Sequence, residues 1–196
     1  MPVEILLALS GFAFVSSITP GPNNLMLMAS GVNFGFRRTV PHMLGVGLGF
    51  TLMIVLIGIG LMELFEAVPV TFTILKVVCA VYLAWLAWKI ANAAEPKAGS
   101  AAAPMTFFQA AAFQWVNPKA WFMATAAITA YAPERNLMAV VLVALVFGAI
   151  NIPCVGVWTI LGQNLRRILG NPTRLRVFNW SMAALLIVSV WPLLFT

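Results

Sequence analysis

The stretch Ile18–Arg38 reads ITPGPNNLMLMASGVNFGFRR and interrupts a long apolar segment with Thr19-Pro20-Gly21-Pro22-Asn23-Asn24. Proline lacks an N–H, so Pro20 and Pro22 remove the helical partners of the Ser16 and Ile18 carbonyls. In hydrocarbon an unpaired carbonyl costs several kcal/mol, so such a break is tolerated only against protein or a wet cavity. Thr19 is suited to cap a restarting helix with Pro20 in its first position. The N-terminus of that second half-helix then offers free N–H groups and partial positive charge to a carboxylate. The alternative is a proline kink that serves packing alone.

The membrane setting follows from composition. The 196 residues are 62% hydrophobic and 8% charged, with a mean hydropathy of +0.99. A soluble domain is about half apolar and a quarter charged, so the expected class is an all-α integral membrane protein. A spanning helix needs about 20 mainly apolar residues. Six segments qualify, at 3–33, 41–62, 68–90, 105–131, 137–161 and 177–195. Transmembrane β-strands are excluded because these runs are too long and do not alternate in period two.

The net charge of +6 sits in short connections between apolar runs, which points to chain orientation and not to nucleic acid. Arg37, Arg38, Lys89, Lys97, Arg166, Arg167, Arg174 and Arg176 follow spans one, three and five. The alternate connections hold Arg135 alone, beside Glu63, Glu66 and Glu134. Those basic connections are therefore expected in the cytoplasm, with both termini outside. Met1–Pro22 carries Glu4 and no basic start, so it is kept as part of the first span and not as a cleaved signal.

Residues 91–104, ANAAEPKAGSAAAP, read as a flexible cytoplasmic linker between halves 1–90 and 105–196 of one transmembrane domain. Three spans per half make the second half inverted relative to the first, the layout of carriers whose sites form where broken helices meet. That layout predicts a matching break early in span four. Gln114-Trp115-Val116-Asn117-Pro118-Lys119-Ala120 supplies it, with Asn117 at the N-cap, Pro118 after it, and the Gln114 carbonyl freed. Asn117 and Lys119 are costly in lipid and are expected to face the bundle interior.

Other polar residues are candidates for coupling or gating. Lys76, midway down span three, is one by virtue of its charge, with snorkelling as the alternative. His42 is the lone histidine and a candidate proton shuttle, or an interfacial side chain. Asn151-Ile152-Pro153 marks a hinge or a kink in span five. Gly45, Gly47 and Gly49 favour close helix approach. Cys79 and Cys154 read as small buried hydrophobes. No catalytic cluster, metal set or phosphate-binding loop is present in the sequence, so neither an enzyme nor a cofactor is expected. A non-transporting membrane scaffold or assembly subunit is the alternative to transport.

On these motifs the chain resembles the LysE/RhtB family of bacterial amino-acid exporters. The matching residues are Thr19 through Asn24, Gly35-Phe36-Arg37, Gly45 through Phe50 (GVGLGF), Ala87-Trp88-Lys89, and Gln114 through Lys119. The GLGF and AWKIA details are most similar to its cysteine/O-acetylserine exporter branch. The resemblance implies a multi-pass inner-membrane carrier that moves small amino acids or their derivatives outward, with protons as the coupling ion. Many relatives carry an aspartate where this chain has Phe50, a departure that favours small neutral substrates over cationic ones. Thr19, Pro20, Gly21, Pro22, Asn23, Asn24, Asn117, Pro118 and Lys119 are then the expected substrate-binding set. Half-helix N-termini and Lys119 would take the carboxylate; the freed carbonyls and the asparagines would take the ammonium.

Overall fold

The computed structural model describes residues 1–61, 63, 67, 70–92, 103–134 and 136–195, side chains at 72, 75, 76 and 189–195 excepted. Among them the secondary structure is helical: α1 (Val3–Ile18), α2 (Pro22–Phe34), α3 (Phe36–Leu56), α4 (Val70–Ala91), α5 (Phe107–Phe113), α6 (Pro118–Tyr131), α7 (Leu137–Leu165) and α8 (Pro172–Phe195). Helix α3 continues as a wider turn over Ile57–Leu61, where Gly60 takes φ +111°, a conformation that favours glycine. Large apolar side chains such as Val81, Trp88, Phe108, Phe122, Leu145 and Val188 are more than half exposed. So large an apolar exterior suits lipid. Phe36–Leu61 and Leu137–Leu165 are each long and apolar enough to cross a membrane, and α1 with α2, bent by 55°, makes a third if it is one span.

Helix α7 is the axis of the bundle. Its 29 residues run to roughly 44 Å. Along it Val140, Ala144, Phe147, Asn151, Val155, Thr159 and Gly162 are buried at three- and four-residue steps, a stripe that faces α1, α2 and α3. Helix α1 answers with Leu9, Ala13 and Ser17, four apart, and leaves Leu7, Phe14 and Val15 exposed. Helices α4 and α8 pack on one another, with Leu83 and Leu186 in their shared cluster. Helix α7 continues through Pro153, so Asn151–Pro153 does not end the helix.

Glycines set the closest crossings. A Cβ on Gly31 of α2 would overlap the Thr159 carbonyl oxygen of α7, and one on Gly162 would overlap the Met28 carbonyl. Gly45 and Gly49 do the same for α3 against α5, at Phe107 and Ala111, and Gly47 meets Ile152 of α7. The expected close approach at Gly45, Gly47 and Gly49 is observed.

Two boundaries differ from expectation. The link between α2 and α3 is the single residue Gly35 (φ +78°), so Arg37 and Arg38 lie in the first turn of α3 and not in a loop. The Phe36 N–H left at that abrupt start is taken by Gln163 Oε1 of α7 at 2.6 Å. Of the linker 91–104, residues 93–102 lie outside the described residues.

Gly31→Leu and Gly162→Leu should each lower the yield and melting temperature of detergent-solubilised protein, because backbone atoms of the partner helix cannot yield. Gly11→Ala, with open space around its Cβ position, should leave both unchanged or slightly improved. Fluorescence-detected size-exclusion chromatography after a temperature ramp reads the difference.

Candidate functional site

At the first break α1 ends with Thr19 in an extended conformation, and α2 restarts at Pro22. The restart falls one proline later than expected: Gly21, not Thr19, is the residue before the helix, and it provides no side-chain cap. Pro22 takes the first helical position, where its missing N–H costs nothing. Every carbonyl the break exposes is met. Thr19 Oγ1 donates to the Ser16 carbonyl at 3.1 Å, and Trp158 Nε1 of α7 donates to the Ile18 carbonyl at 3.0 Å. Asn24, 4% exposed, turns its amide back to donate to the Ser17 and Thr19 carbonyls at 2.8 and 2.7 Å.

The second break has the same logic in a shorter form. Helix α5 tightens into a single turn at Gln114–Val116, and Asn117 then caps α6 by accepting from the Lys119 N–H at 3.2 Å. Pro118 occupies the first position of α6. The Gln114 carbonyl accepts from the Asn117 N–H, and the Trp115 carbonyl accepts from Trp121 Nε1 at 2.9 Å.

The two breaks meet. Lys119 Nζ reaches across to donate to the Thr19 carbonyl and Oγ1, each at 2.9 Å, and to the Pro20 carbonyl at 3.3 Å. These partners are all neutral oxygens, so the ammonium charge is solvated without being neutralised. Gly21 makes the reach possible, since a Cβ there would stand 2.7 Å from Lys119 Cδ. Beside this bridge Asn23 and Gln114 exchange two amide hydrogen bonds, at 2.8 and 3.2 Å. Asn151 of α7 donates to Ser17 Oγ at 3.1 Å, while its own Oδ1 is buried without a partner among the described residues.

Ser17, Asn24, Asn117, Lys119, Asn151 and Phe50 are among the residues around a cavity of about 20 Å³ between the breaks. That is room for one water. Phe50 forms an apolar wall, 2% exposed and stacked edge-on to Phe147 at 5.2 Å. The wall is uncharged at the position where a carboxylate would have favoured a second cation.

Thus Thr19 through Asn24, Asn117 through Lys119 and Asn151 are gathered in one place. His42 is not there; it lines a separate, larger cavity together with Ser30 and Asn33 of α2 and Lys89 of α4. Lys76 falls on α4, and its side chain lies outside the described residues. Trp158 and Ser17 belong to the site without any local sequence signal, because their roles depend on where α7 crosses α1. Cys79 and Cys154 are buried and unbonded, and among the described residues no three metal-binding side chains come together.

Removing the donors that satisfy the first break should loosen it. Trp158→Phe keeps the ring and deletes the N–H, leaving the Ile18 carbonyl unpaired at a cost of about 1–3 kcal/mol. A lower melting temperature than wild type is expected, and an unchanged one would contradict the assignment.

Sequence comparison gives the chain its relatives. The family model described as LysE type translocator matches residues 14–194. A cysteine/O-acetylserine efflux protein of Escherichia coli is 33% identical over 119 residues, 61% of each chain. The protein of the same description from Shigella sonnei matches equally, and that from Shigella flexneri is 33% identical over 115 residues, 59% of each chain. The matched part thus spans about three fifths of the length of these relatives. No solved structure matches the chain.

Proposed function

The chain belongs to the LysE type translocator family, and from that premise we propose that it exports small neutral amino acids or their derivatives, cysteine and O-acetylserine being the first candidates. The observation that carries this reading is the meeting of two proline-broken helices around Lys119 and a small polar cavity. The chain is read as six spans across a bacterial inner membrane, in two inverted halves, 1–90 and 105–196, joined by the linker. Helices α1–α2 and α5–α6 are the broken first spans of each half.

A cavity that admits one water does not admit an amino acid, so this arrangement corresponds to a closed state between openings. Transport requires the breaks to part. When they do, Lys119 leaves the Thr19 and Pro20 carbonyls and its ammonium becomes available to the substrate carboxylate. The uncapped N-terminus of α2 adds partial positive charge from the same side. Those released carbonyls, with Asn151 Oδ1, then suit the substrate ammonium. Substrate and protein thus exchange partners: the zwitterion brings a cation to the oxygens that Lys119 gives up. Phe50 and Met123 leave space for a short neutral side chain and offer nothing to a second charge. Export against a gradient is driven by the proton motive force in this scheme.

Cells preloaded with labelled O-acetylserine, cysteine or lysine provide the test. Expression of the chain should accelerate efflux of the first two, with an uncoupler abolishing the effect, and leave lysine efflux unchanged. Lys119→Gln, one atom shorter but still able to donate a hydrogen bond, removes the charge and should lower export by about tenfold to a hundredfold, the range of one charge-assisted hydrogen bond. Full export by Lys119→Gln would remove Lys119 from substrate recognition.

A further inference from the structure

Lys119 brings its charge to the site without a counter-ion, since none of the residues around the cavity between the breaks is acidic. A lysine ammonium has three N–H donors and no acceptor. Three neutral oxygens accept from it, the Thr19 carbonyl and Oγ1 at 2.9 Å and the Pro20 carbonyl at 3.3 Å. The α-ammonium of an amino acid is the same group, a tetrahedral nitrogen with three donors and one positive charge. The oxygens of the first break therefore form a cradle for an ammonium. In the closed arrangement the ammonium they hold is the chain's own.

Gly21 gives Lys119 its place in the cradle. Its backbone is extended (φ 179°), a conformation open to any residue, so the turn itself does not call for glycine. The lysine does: a Cβ at Gly21 would stand 2.7 Å from Lys119 Cδ and 3.2 Å from its Nζ. The consequence concerns a carrier's return after it has released its solute. The closed cavity has room for one water and none for an amino acid, so its carbonyls depend on protein donors. Each carbonyl left unpaired would slow closure by about tenfold or more. A carrier with that defect closes only around substrate and exchanges one amino acid for another. With Lys119 in the cradle the oxygens are met, and closure needs no solute.

We propose that Lys119 is a tethered stand-in for the substrate ammonium, which resets the carrier after each export step and makes its transport net efflux instead of obligatory exchange. The proposal rests on the exporter reading and adds the return half of its cycle. On the outward stroke the zwitterion occupies the cradle with its ammonium and engages Lys119 with its carboxylate. After release Lys119 returns to the Thr19 and Pro20 oxygens, the breaks close, and the carrier reopens to the cytoplasm. Gly21 is the positioning residue for that step, acting only through the room it leaves for Lys119. Gly21→Ala keeps both the ammonium and the cradle and pushes them apart.

The test uses the full chain in liposomes loaded with labelled O-acetylserine or cysteine, under one fixed proton gradient with the outside more acidic. Initial efflux is measured into medium free of amino acid and into medium with excess unlabelled amino acid. The ratio of the second rate to the first does not depend on how much protein folds, because the same molecules carry both fluxes. For wild type the two rates should agree within about twofold, and a larger dependence on outside amino acid would overturn the proposal. Gly21→Ala should raise the ratio about tenfold, the cost of one unpaired carbonyl in the return step. A ratio equal to that of wild type would also overturn it. Lys119→Met, read by the same ratio with the same expectation, decides if Gly21→Ala is not recovered. No flux in either mode, for these or for a panel of neutral, acidic and basic amino acids, would overturn the exporter reading and this proposal together. Flux that requires amino acid outside would overturn this proposal alone.

Discussion

The structure depends on how a chain this apolar satisfies backbone carbonyls that proline has stripped of their partners. Two helices are broken at Pro20–Pro22 and Pro118, and the answer to the first break comes largely from elsewhere in the chain. Asn24 folds back from the same break, Trp158 reaches in from α7, and Lys119 crosses from the second break. A lysine ammonium held only by neutral oxygens is well solvated but carries its charge intact. Such a contact stabilises the closed arrangement and leaves a cation ready for an anion. In the proposed export cycle the same atoms do structural work when the breaks touch and become available for binding when they part.

Glycine provides the proximity this requires. Gly31 and Gly162 bring α2 against α7 backbone to backbone, and Gly45 and Gly49 bring α5 against α3. Helix α5 leads directly into the second break, and α2 leads directly out of the first. Holding these two crossings tight therefore fixes both breaks relative to α7, whose Asn151 and Trp158 complete the site. Larger residues at the crossings would displace donors by more than the few tenths of an ångström that a good hydrogen bond tolerates.

Much of this was legible in the sequence, and the illegible remainder has physical causes. The paired prolines at 20 and 22 and the Asn117-Pro118 dipeptide announce breaks because capping chemistry accompanies the missing N–H there, whereas Pro41 and Pro153 lie inside continuous helices. The sequence points to Thr19 as the N-cap at the first break, yet Gly21 precedes the helix, because two prolines two apart offer two equivalent restarts and local chemistry does not choose between them. Asn151–Pro153 reads as a hinge or a kink, and α7 continues through it as helix, in a stripe packed against α1, α2 and α3. Charge patterning puts Arg37 and Arg38 in a loop, while glycine at 35 allows a one-residue connection that puts them on α3. Trp158, Ser17, Asn33 and the burial of His42 could not be read, since each depends on which helix lies opposite. A side chain's partner across the bundle is a property of packing, and periodicity does not encode it.

The central claim is that the two broken helices are closed on each other and must separate for substrate to pass. Asn23 and Gln114, joined by paired amide bonds, are the most direct place to test it. Asn23→Cys with Gln114→Cys, in a chain whose Cys79 and Cys154 are replaced by alanine, can be bridged by a short bifunctional thiol reagent and assayed for amino-acid efflux before and after reductive release. The account predicts efficient bridging, arrested efflux, and recovery on release. Bridged protein that continues to export at the unbridged rate would contradict it.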